Sequence, residues 1–165
     1  TTLPAAIATG KVLQVVQTAW QDTLQVSINN TYTQITGLNT NITCSSTSNK
    51  VLIEGKIYVC PHAGTSPYPA IRLTKGGSVI SGAIGNSKDS RRTVTGCSGD
   101  GGAASEMNVI AFTYLDSPSS TSELTYGAQI TAYASRTLDI NYTGGTDANS
   151  GAATLSTITL TEIAG

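Results

Sequence analysis

Stretches of strand length recur along the whole chain and are separated by clusters of glycine, serine, proline and asparagine. This punctuation is typical of β-sandwiches and β-barrels. The stretches cover residues 11–19, 23–28, 50–60, 70–75, 78–84, 108–115, 124–134, 138–142 and 154–163. None of them is followed by a helical pattern, so a parallel α/β sheet is excluded. The sequence predicts an all-β fold, a β-sandwich or a β-barrel.

The clearest strand spans residues 51–60. Alternate residues of a strand point to opposite faces of its sheet. One face carries Val51, Ile53, Ile57 and Val59, and the other carries Glu54, Lys56 and Tyr58. This alternation predicts an antiparallel sheet with one solvent-facing side.

The stretch 124–134 shows the same alternation. Its apolar face carries Tyr126, Ala128, Ile130, Ala132 and Ala134, and its polar face carries Gln129, Thr131 and Tyr133. The small buried residues leave room for the close approach of another sheet or subunit.

Residues 11–20 are ambiguous between strand and helix, because their apolar residues also recur at helical spacing. Three valines in this segment favour a strand, since β-branched side chains lose freedom in a helix.

Composition excludes several classes of protein. Charged residues make up 12% of the chain, against 26 threonines and 18 serines in 165 residues, so a coiled coil or an acidic disordered segment is excluded. The net charge of −1 and the pI of about 5.7 give no overall attraction to phosphate, and we expect no nucleic-acid partner. No apolar run reaches about 18 residues, so we expect no membrane insertion.

A chain of 165 residues has the length of one domain. We expect a single sandwich domain over residues 11–165, preceded by an N-terminal extension over residues 1–10. The extension lacks the basic start and apolar stretch of a secretory signal.

The three cysteines, Cys44, Cys60 and Cys97, cannot all pair within one chain. They are either structural thiols made in a reducing compartment or include one Cys60–Cys97 bridge.

Charge is unevenly placed along the chain. Residues 50–92 carry a net charge of +5, whereas residues 93–165 carry −6. Either the two halves interleave within one fold and their charges cancel, or they meet across a subunit interface, where complementary charge fixes the register.

Two loops stand out as candidate functional regions. Residues 85–105 contain five glycines and almost no apolar residue, and loops beyond about 12–15 residues are usually functional or mobile. Residues 61–69 contain three prolines, the single histidine, His62, and Tyr68. Prolines would keep the tip of this second loop stiff.

Patterns that carry chemistry are few. His62 lies in a proline-flanked loop, and no Gly-x-Ser-x-Gly turn follows a strand, so a nucleophile with an oriented base is not indicated. Neither 98–102 nor 146–150 has the alternating carboxylates of a calcium loop, and 75–78 reads as a hairpin turn rather than a phosphate-binding loop. We expect no catalytic residue, no cofactor and no metal site.

Four stretches carry a resemblance to a known family: GKVLQVVQ at 10–17, ITCSSTSNKVL at 42–52, YLDSP at 114–118 and STITLTEIAG at 156–165. Together they resemble the short all-β virion domain of many marine phages and cyanophages, described as a tail fibre or minor structural protein. Residues 61–105 have no matching motif. The resemblance implies a jelly-roll-like sandwich that assembles as a homotrimer, and it supplies no catalytic residues.

The resulting hypothesis is a structural protein of a tailed-phage virion, assembled in the host cytoplasm and acting as a tail fibre or fibre-tip domain. Its expected partners are other phage structural proteins and an anionic host-surface polysaccharide, gripped by stacking and charge-assisted hydrogen bonds. The candidate receptor contacts are His62, Tyr68, Arg91, Arg92 and Asp100. Three alternatives stay open: a capsid decoration protein that stabilises the head, a virion-associated polysaccharide depolymerase, and a secreted bacterial lectin.

Overall fold

The computed structural model describes residues 10–62, 67–99, 106–144 and 151–165 and shows an all-β protein built from two antiparallel sheets. Two short 3₁₀ turns, Thr36–Leu38 and Ser81–Ala83, interrupt the strands. The strands are β1 Val12–Trp20, β2 Leu24–Asn29, β3 Thr33–Gln34, β4 Thr40–Thr43, β5 Lys50–Pro61, β6 Ala70–Lys75, β7 Ser78–Val79, β8 Gly96–Cys97, β9 Asn108–Asp116, β10 Glu123–Thr131, β11 Ser135–Ile140 and β12 Ser156–Ile163. The predicted sandwich of antiparallel sheets is confirmed.

Strand β5 organises the first sheet, which contains β1, β12, β5, β11, β2 and β9. One edge of β5 pairs with β9 from Val51 to Val59. The opposite edge pairs first with β12 and then, beyond its midpoint, with β11. β1 lies outside β12, and β2 lies outside β11.

Strand β10 has the same central place in the second sheet. One of its edges pairs with β6, and the other pairs with β4 and β3 in turn. β7 and β8 extend this sheet beyond β6. The turn between β6 and β7 is the predicted hairpin, in which Gly76 and Gly77 have φ values of 57° and 77° that glycine adopts without strain.

The core lies between the two sheets and follows the predicted alternation, except that Thr131, expected on the polar face, is completely buried. Val51, Ile53, Ile57 and Val59 of β5 are completely buried. So are Tyr126, Ala128, Ile130 and Ala132 of the second alternating stretch, although β10 itself ends at Thr131. Residues 12–20 form strand β1, as the valines indicated.

Most predicted strands have somewhat different bounds in the structure, and two of them show a local cause. The stretch 78–84 is a strand only as far as Val79, because the chain then turns and buries both Ile80 and Ala83, with a backbone bond of 2.9 Å from Ala83 N to Ile80 O. The strand expected at 138–142 is Ser135–Ile140, because Asn141 adopts a left-handed conformation (φ 66°) that ends it.

Charges from the two biased halves of the sequence meet within the chain. Lys75 Nζ lies 2.8 Å from Asp116 Oδ2, and the hydroxyl of Tyr126 donates to the same oxygen at 2.6 Å. Lys75 belongs to the basic half and Asp116 to the acidic half, so this pair supports interleaving of the two halves within one fold.

The cysteines occupy different surroundings. Cys44 and Cys60 are buried, and burial raises the pKa of both thiols, whereas Cys97 is exposed. No disulfide joins Cys60 to Cys97 in the described residues, so the alternative of a bridge finds no support.

Within the described ranges, no helix has the length and apolar character needed to cross a membrane.

Candidate ligand-binding site

One candidate site lies at one end of the sandwich, where β10 ends and β6 begins. It is a cavity of about 630 Å³, a size within the range of about 300–1,000 Å³ that is common for ligand sites. We call it the tyrosine groove. Its lining consists of Asn30, Tyr68, Ala70, Ser90, Arg91, Arg92, Val94, Cys97 and Tyr133. The start of β1 and the end of β12 lie at the opposite end of the sandwich.

Two tyrosines give the groove its aromatic surface. Tyr68 is 44% exposed and Tyr133 is 61% exposed, although large apolar side chains are usually covered in a sandwich. Tyr68 stands between Pro67 and Pro69 with a φ of 44°. The backbone N of Tyr133 donates to Pro67 O at 2.8 Å, which fixes the two tyrosine-bearing segments relative to each other.

Two arginines add positive charge to the same groove. Arg92 Nη2 donates to the backbone carbonyl of Tyr68 at 2.7 Å, and this bond ties the guanidinium to the tyrosine-bearing segment. Arg91 Nη1 lies 2.7 Å from Asp89 Oδ2, and both side chains are largely exposed to solvent. Water and salt screen such an exposed pair, so Arg91 keeps the capacity to bind an anionic ligand.

The described part of the long glycine-rich loop, residues 85–99, is held to the sandwich. The backbone N of Thr95 donates to Ile71 O at 2.8 Å, and the hydroxyl of Thr95 accepts from Leu73 N at 3.0 Å. Two further residues of this segment form β8 against the start of β6. The two arginines are therefore carried on a segment with regular backbone anchors.

A second cleft of about 450 Å³ lies where the end of β2 pairs with the start of β11. We call it the histidine cleft. Ser27, Ile28, Asn29, His62, Ser135, Arg136 and Thr137 line it. His62 Nδ1 donates to Asp139 Oδ2 at 2.8 Å, and the imidazole is 42% exposed.

Asp139 is a completely buried carboxylate with several donors around it. Its Oδ1 accepts from Tyr142 Oη at 2.7 Å and from Gln25 Nε2 at 3.1 Å. Burial, followed by the hydrogen bond to Asp139, raises the pKa of the Tyr142 hydroxyl, which therefore stays protonated and continues to donate. The backbone of Gly144 passes directly over Asp139 Oδ2. The carboxylate is thus a structural anchor that holds the His62 ring in one orientation.

The candidate receptor contacts divide between the two clefts. Tyr68, Arg91 and Arg92 come together in the tyrosine groove, whereas His62 lies in the histidine cleft. Asp100 lies outside the described residues. No group of three His, Cys, Asp or Glu side chains suited to a metal ion occurs in the described ranges.

Sequence reasoning missed three residues of these clefts: Asn30, Tyr133 and Arg136. A signal for Tyr133 was present, because the alternation of 124–134 placed its side chain away from the core. Asp139 was missed as well, because its partners Gln25 and His62 are distant in sequence.

Comparison with known proteins identifies no family. No family model matches the chain, and no curated protein matches it. Among solved structures, the chain is similar to the infectious bursal disease virus Gx strain structure, at 13% identity and a TM-score of 0.47, over 99% of this chain and 43% of that chain. It is also similar to the infectious bursal disease virus VP2 subviral particle, at 16% identity and a TM-score of 0.44, over 99% of this chain and 44% of that chain. The chain therefore spans less than half the length of these solved chains.

Proposed function

We propose that this protein is a structural component of a tailed-phage virion, placed in a tail fibre or fibre tip, and that its tyrosine groove binds a polysaccharide of the host surface. The observation that carries the binding role is the juxtaposition of two exposed tyrosines and two arginines in one groove. The virion role rests on the resemblance of residues 10–17, 42–52, 114–118 and 156–165 to phage virion domains.

The chemistry of the groove suits an anionic polysaccharide. Aromatic faces stack against the apolar faces of sugar rings, and Tyr68 and Tyr133 present such faces to solvent. Guanidinium groups bind carboxylates and sulfates through charge-assisted, often paired hydrogen bonds. Tyr68 and Arg92 are joined by a hydrogen bond, so the aromatic and cationic elements of the groove are positioned together.

We propose binding rather than cleavage of this polysaccharide. Glycoside hydrolysis generally needs two carboxyl groups on either side of the scissile bond. Neither cleft has an aspartate or glutamate among its described lining residues, and the nearby Asp139 is buried against His62. Formation of new reducing ends after incubation with the polysaccharide would contradict this part of the proposal.

The experiment compares virions that carry wild-type protein with virions that carry Y133A combined with R92A. Adsorption of the double variant to host cells should fall by about tenfold or more, because stacking and charge-assisted bonds are both lost. Asn41→Ala and Val79→Ala serve as controls, since both residues are exposed on the second sheet and lie outside the groove. Unchanged adsorption of a folded double variant would overturn the attachment role.

A capsid decoration protein is the second candidate function. It is favoured by an exposed, weakly charged sheet face that includes Val15, Val109 and Leu115, as a surface that packs on a protein shell would. Quantitative mass spectrometry of separated heads and tails distinguishes the two functions. A few copies with the tail support attachment, whereas many copies with the head support decoration and overturn the tail assignment.

A further inference from the structure

The tyrosine groove and the histidine cleft adjoin on the protein surface. Asn29 lines the histidine cleft, and the next residue, Asn30, lines the tyrosine groove. On the facing segment, Ser135 lines the cleft and Tyr133 lines the groove. The two cavities are thus separated only by the place where β2 ends beside the start of β11.

Hydrogen bonds fix this dividing segment. The hydroxyl of Ser135 donates to Asn29 Oδ1 at 2.8 Å, and the backbone N of Ala134 donates to Asn30 Oδ1 at 2.8 Å. Asn30 and Ala134 both adopt left-handed backbone conformations, with φ values of 54° and 59°. The two cavities therefore keep a constant relative position, as consecutive subsites require.

The combined length of the two cavities exceeds that of one sugar ring. Tyr133 in the groove and Thr137 in the cleft are four residues apart along the chain. The chain turns at Ala134 between them, and each cavity has by itself the volume of a ligand site, about 630 Å³ for the groove and about 450 Å³ for the cleft. A ligand that contacts both residues is therefore an oligomer.

Each cavity contains an arginine with an unused donor. Arg92 Nη2 and Arg136 Nη1 donate to the backbone carbonyls of Tyr68 and Ser135, respectively. Arg92 Nη1 and Arg136 Nε are buried and have no acceptor within the described part of the chain. Buried donors normally find acceptors. A carboxylate or sulfate oxygen would supply one after a small rotation of the guanidinium.

The charge along both cavities favours an acidic ligand at more than one point. Arg91 and Arg92 lie in the groove, and Arg136 lies in the cleft. Asp139 is buried and bonded to His62. Cations in both cavities suit a polymer that carries repeated negative charges better than a single charged sugar.

We propose that the tyrosine groove and the histidine cleft are consecutive subsites for one linear acidic polysaccharide. Tyr68 and Tyr133 of the groove stack on one part of the polymer, and Arg136 in the cleft binds the next acidic unit. This inference rests on the proposed function and adds that the ligand is an internal stretch of polymer rather than a terminal sugar.

The experiment measures the affinity of the full chain for size-fractionated oligouronates and sulfated oligosaccharides by titration calorimetry. Affinity for the series that binds should rise by about tenfold or more between the disaccharide and the octasaccharide, because the longer ligand occupies both subsites. R136A and S27W, which remove the cation and fill the cleft, should abolish this rise and leave disaccharide affinity within about twofold of wild type. K50A should behave as wild type.

Two results would overturn the inference in distinguishable ways. In the first, the affinity already reaches its maximum with the disaccharide, or R136A and S27W weaken the binding of short and long ligands equally. The groove is then a single-sugar site, and the proposed function stays intact. Absence of binding to either series by folded wild-type protein overturns both the subsites and the polysaccharide-binding function.

Discussion

At the scale of single residues, the buried carboxylate of Glu162 connects three of the stretches that carry the phage resemblance. Glu162 lies in 156–165, and its partners lie in 10–17 and 42–52. Its Oε1 accepts hydrogen bonds from Ser45 N at 2.7 Å, Ser45 Oγ at 2.9 Å and Asn49 Nδ2 at 2.6 Å. Its Oε2 accepts from Gln14 Nε2 at 2.5 Å. The turn before β5 and the strands β1 and β12 are thereby tied to one side chain.

This network predicts acid sensitivity of the fold. Burial alone would raise the pKa of Glu162, but hydrogen bonds from Gln14, Asn49 and Ser45 outweigh it and lower the pKa from 4.5 to about 2. Because the folded-state pKa is the lower one, the carboxylate stabilises the fold above pH 4.5, and that contribution is lost as the pH falls toward 2. Glu162→Gln should lower the free energy of unfolding at pH 7 by about 2–4 kcal/mol.

Denaturant unfolding at several pH values checks this expectation. The difference between wild type and E162Q should narrow as the pH falls below 4.5, because protonation removes the same charge from the wild-type protein. Glu54→Gln is the matched control, since Glu54 is exposed on the outer face of β5. A difference that stays constant from pH 7 to pH 3 would refute the assignment.

Gly144 provides a second test at the residue scale. A Cβ at this position would overlap Asp139 Oδ2, and Asp139 has little freedom to move because Gln25, His62 and Tyr142 all bond to it. We expect Gly144→Ala to cost about 1–3 kcal/mol of stability. Gly99→Ala is the control, because a Cβ there has no neighbour within 4 Å. Thermal unfolding that finds both variants equally stable would contradict the packing described here.

At the scale of elements, the long strands were predictable because their signal is local. The alternation in β5 and β10 fixed which side chains face the core, and the bounds of β6, Ala70–Lys75, follow directly from its apolar run. Strands β3 and β8 have two residues each, so they carry no periodic signal and exist only through pairing with distant strands. Residues 78–84 were misjudged because an apolar run can also turn into the core.

The candidate site shows the same division between local and distant signals. Tyr68, Arg91 and Arg92 were found because loop composition singles out stiff or glycine-rich segments. Asp139 was missed because residues 62 and 139 meet only once β5 and β11 pair. To predict that the cleft containing His62 adjoins the tyrosine groove, one would have needed to know that β2 ends beside β11.

The anchoring of residues 85–99 is testable at this scale. Thr95→Val removes the oxygen that accepts from Leu73 N and leaves that amide without its partner. Such a loss costs about 1–3 kcal/mol. Hydrogen exchange at the Leu73 amide should become at least about tenfold faster, and saccharide binding in the groove should weaken. T93V changes a neighbouring threonine of the same segment and should leave the exchange rate near wild type. Equal rates in both variants would show that the loop is held by other contacts.

At the scale of the whole molecule, the outer face of the first sheet is suited to packing against other copies. In β12 the outward side chains are Thr157, Thr159 and Thr161, and the neighbouring strands contribute the exposed Val15 and Leu115. The charged residues on the outward side of β5 are Lys50, Glu54 and Lys56. Few ions would need to lose water when this face is covered, so association costs little desolvation.

The resemblance to phage virion domains implies a homotrimer, and we expect this face to form its interface. Sedimentation equilibrium should give three times the chain mass of 16.9 kDa. V15E combined with L115E should yield folded monomers, because buried unpaired carboxylates are costly. Val79→Glu is the control, since Val79 is exposed on the second sheet. A wild-type monomer would refute the trimer, and a trimeric double variant would place the interface elsewhere. A trimer would display three copies of the tyrosine groove, so that weak binding at each one sums to firm attachment.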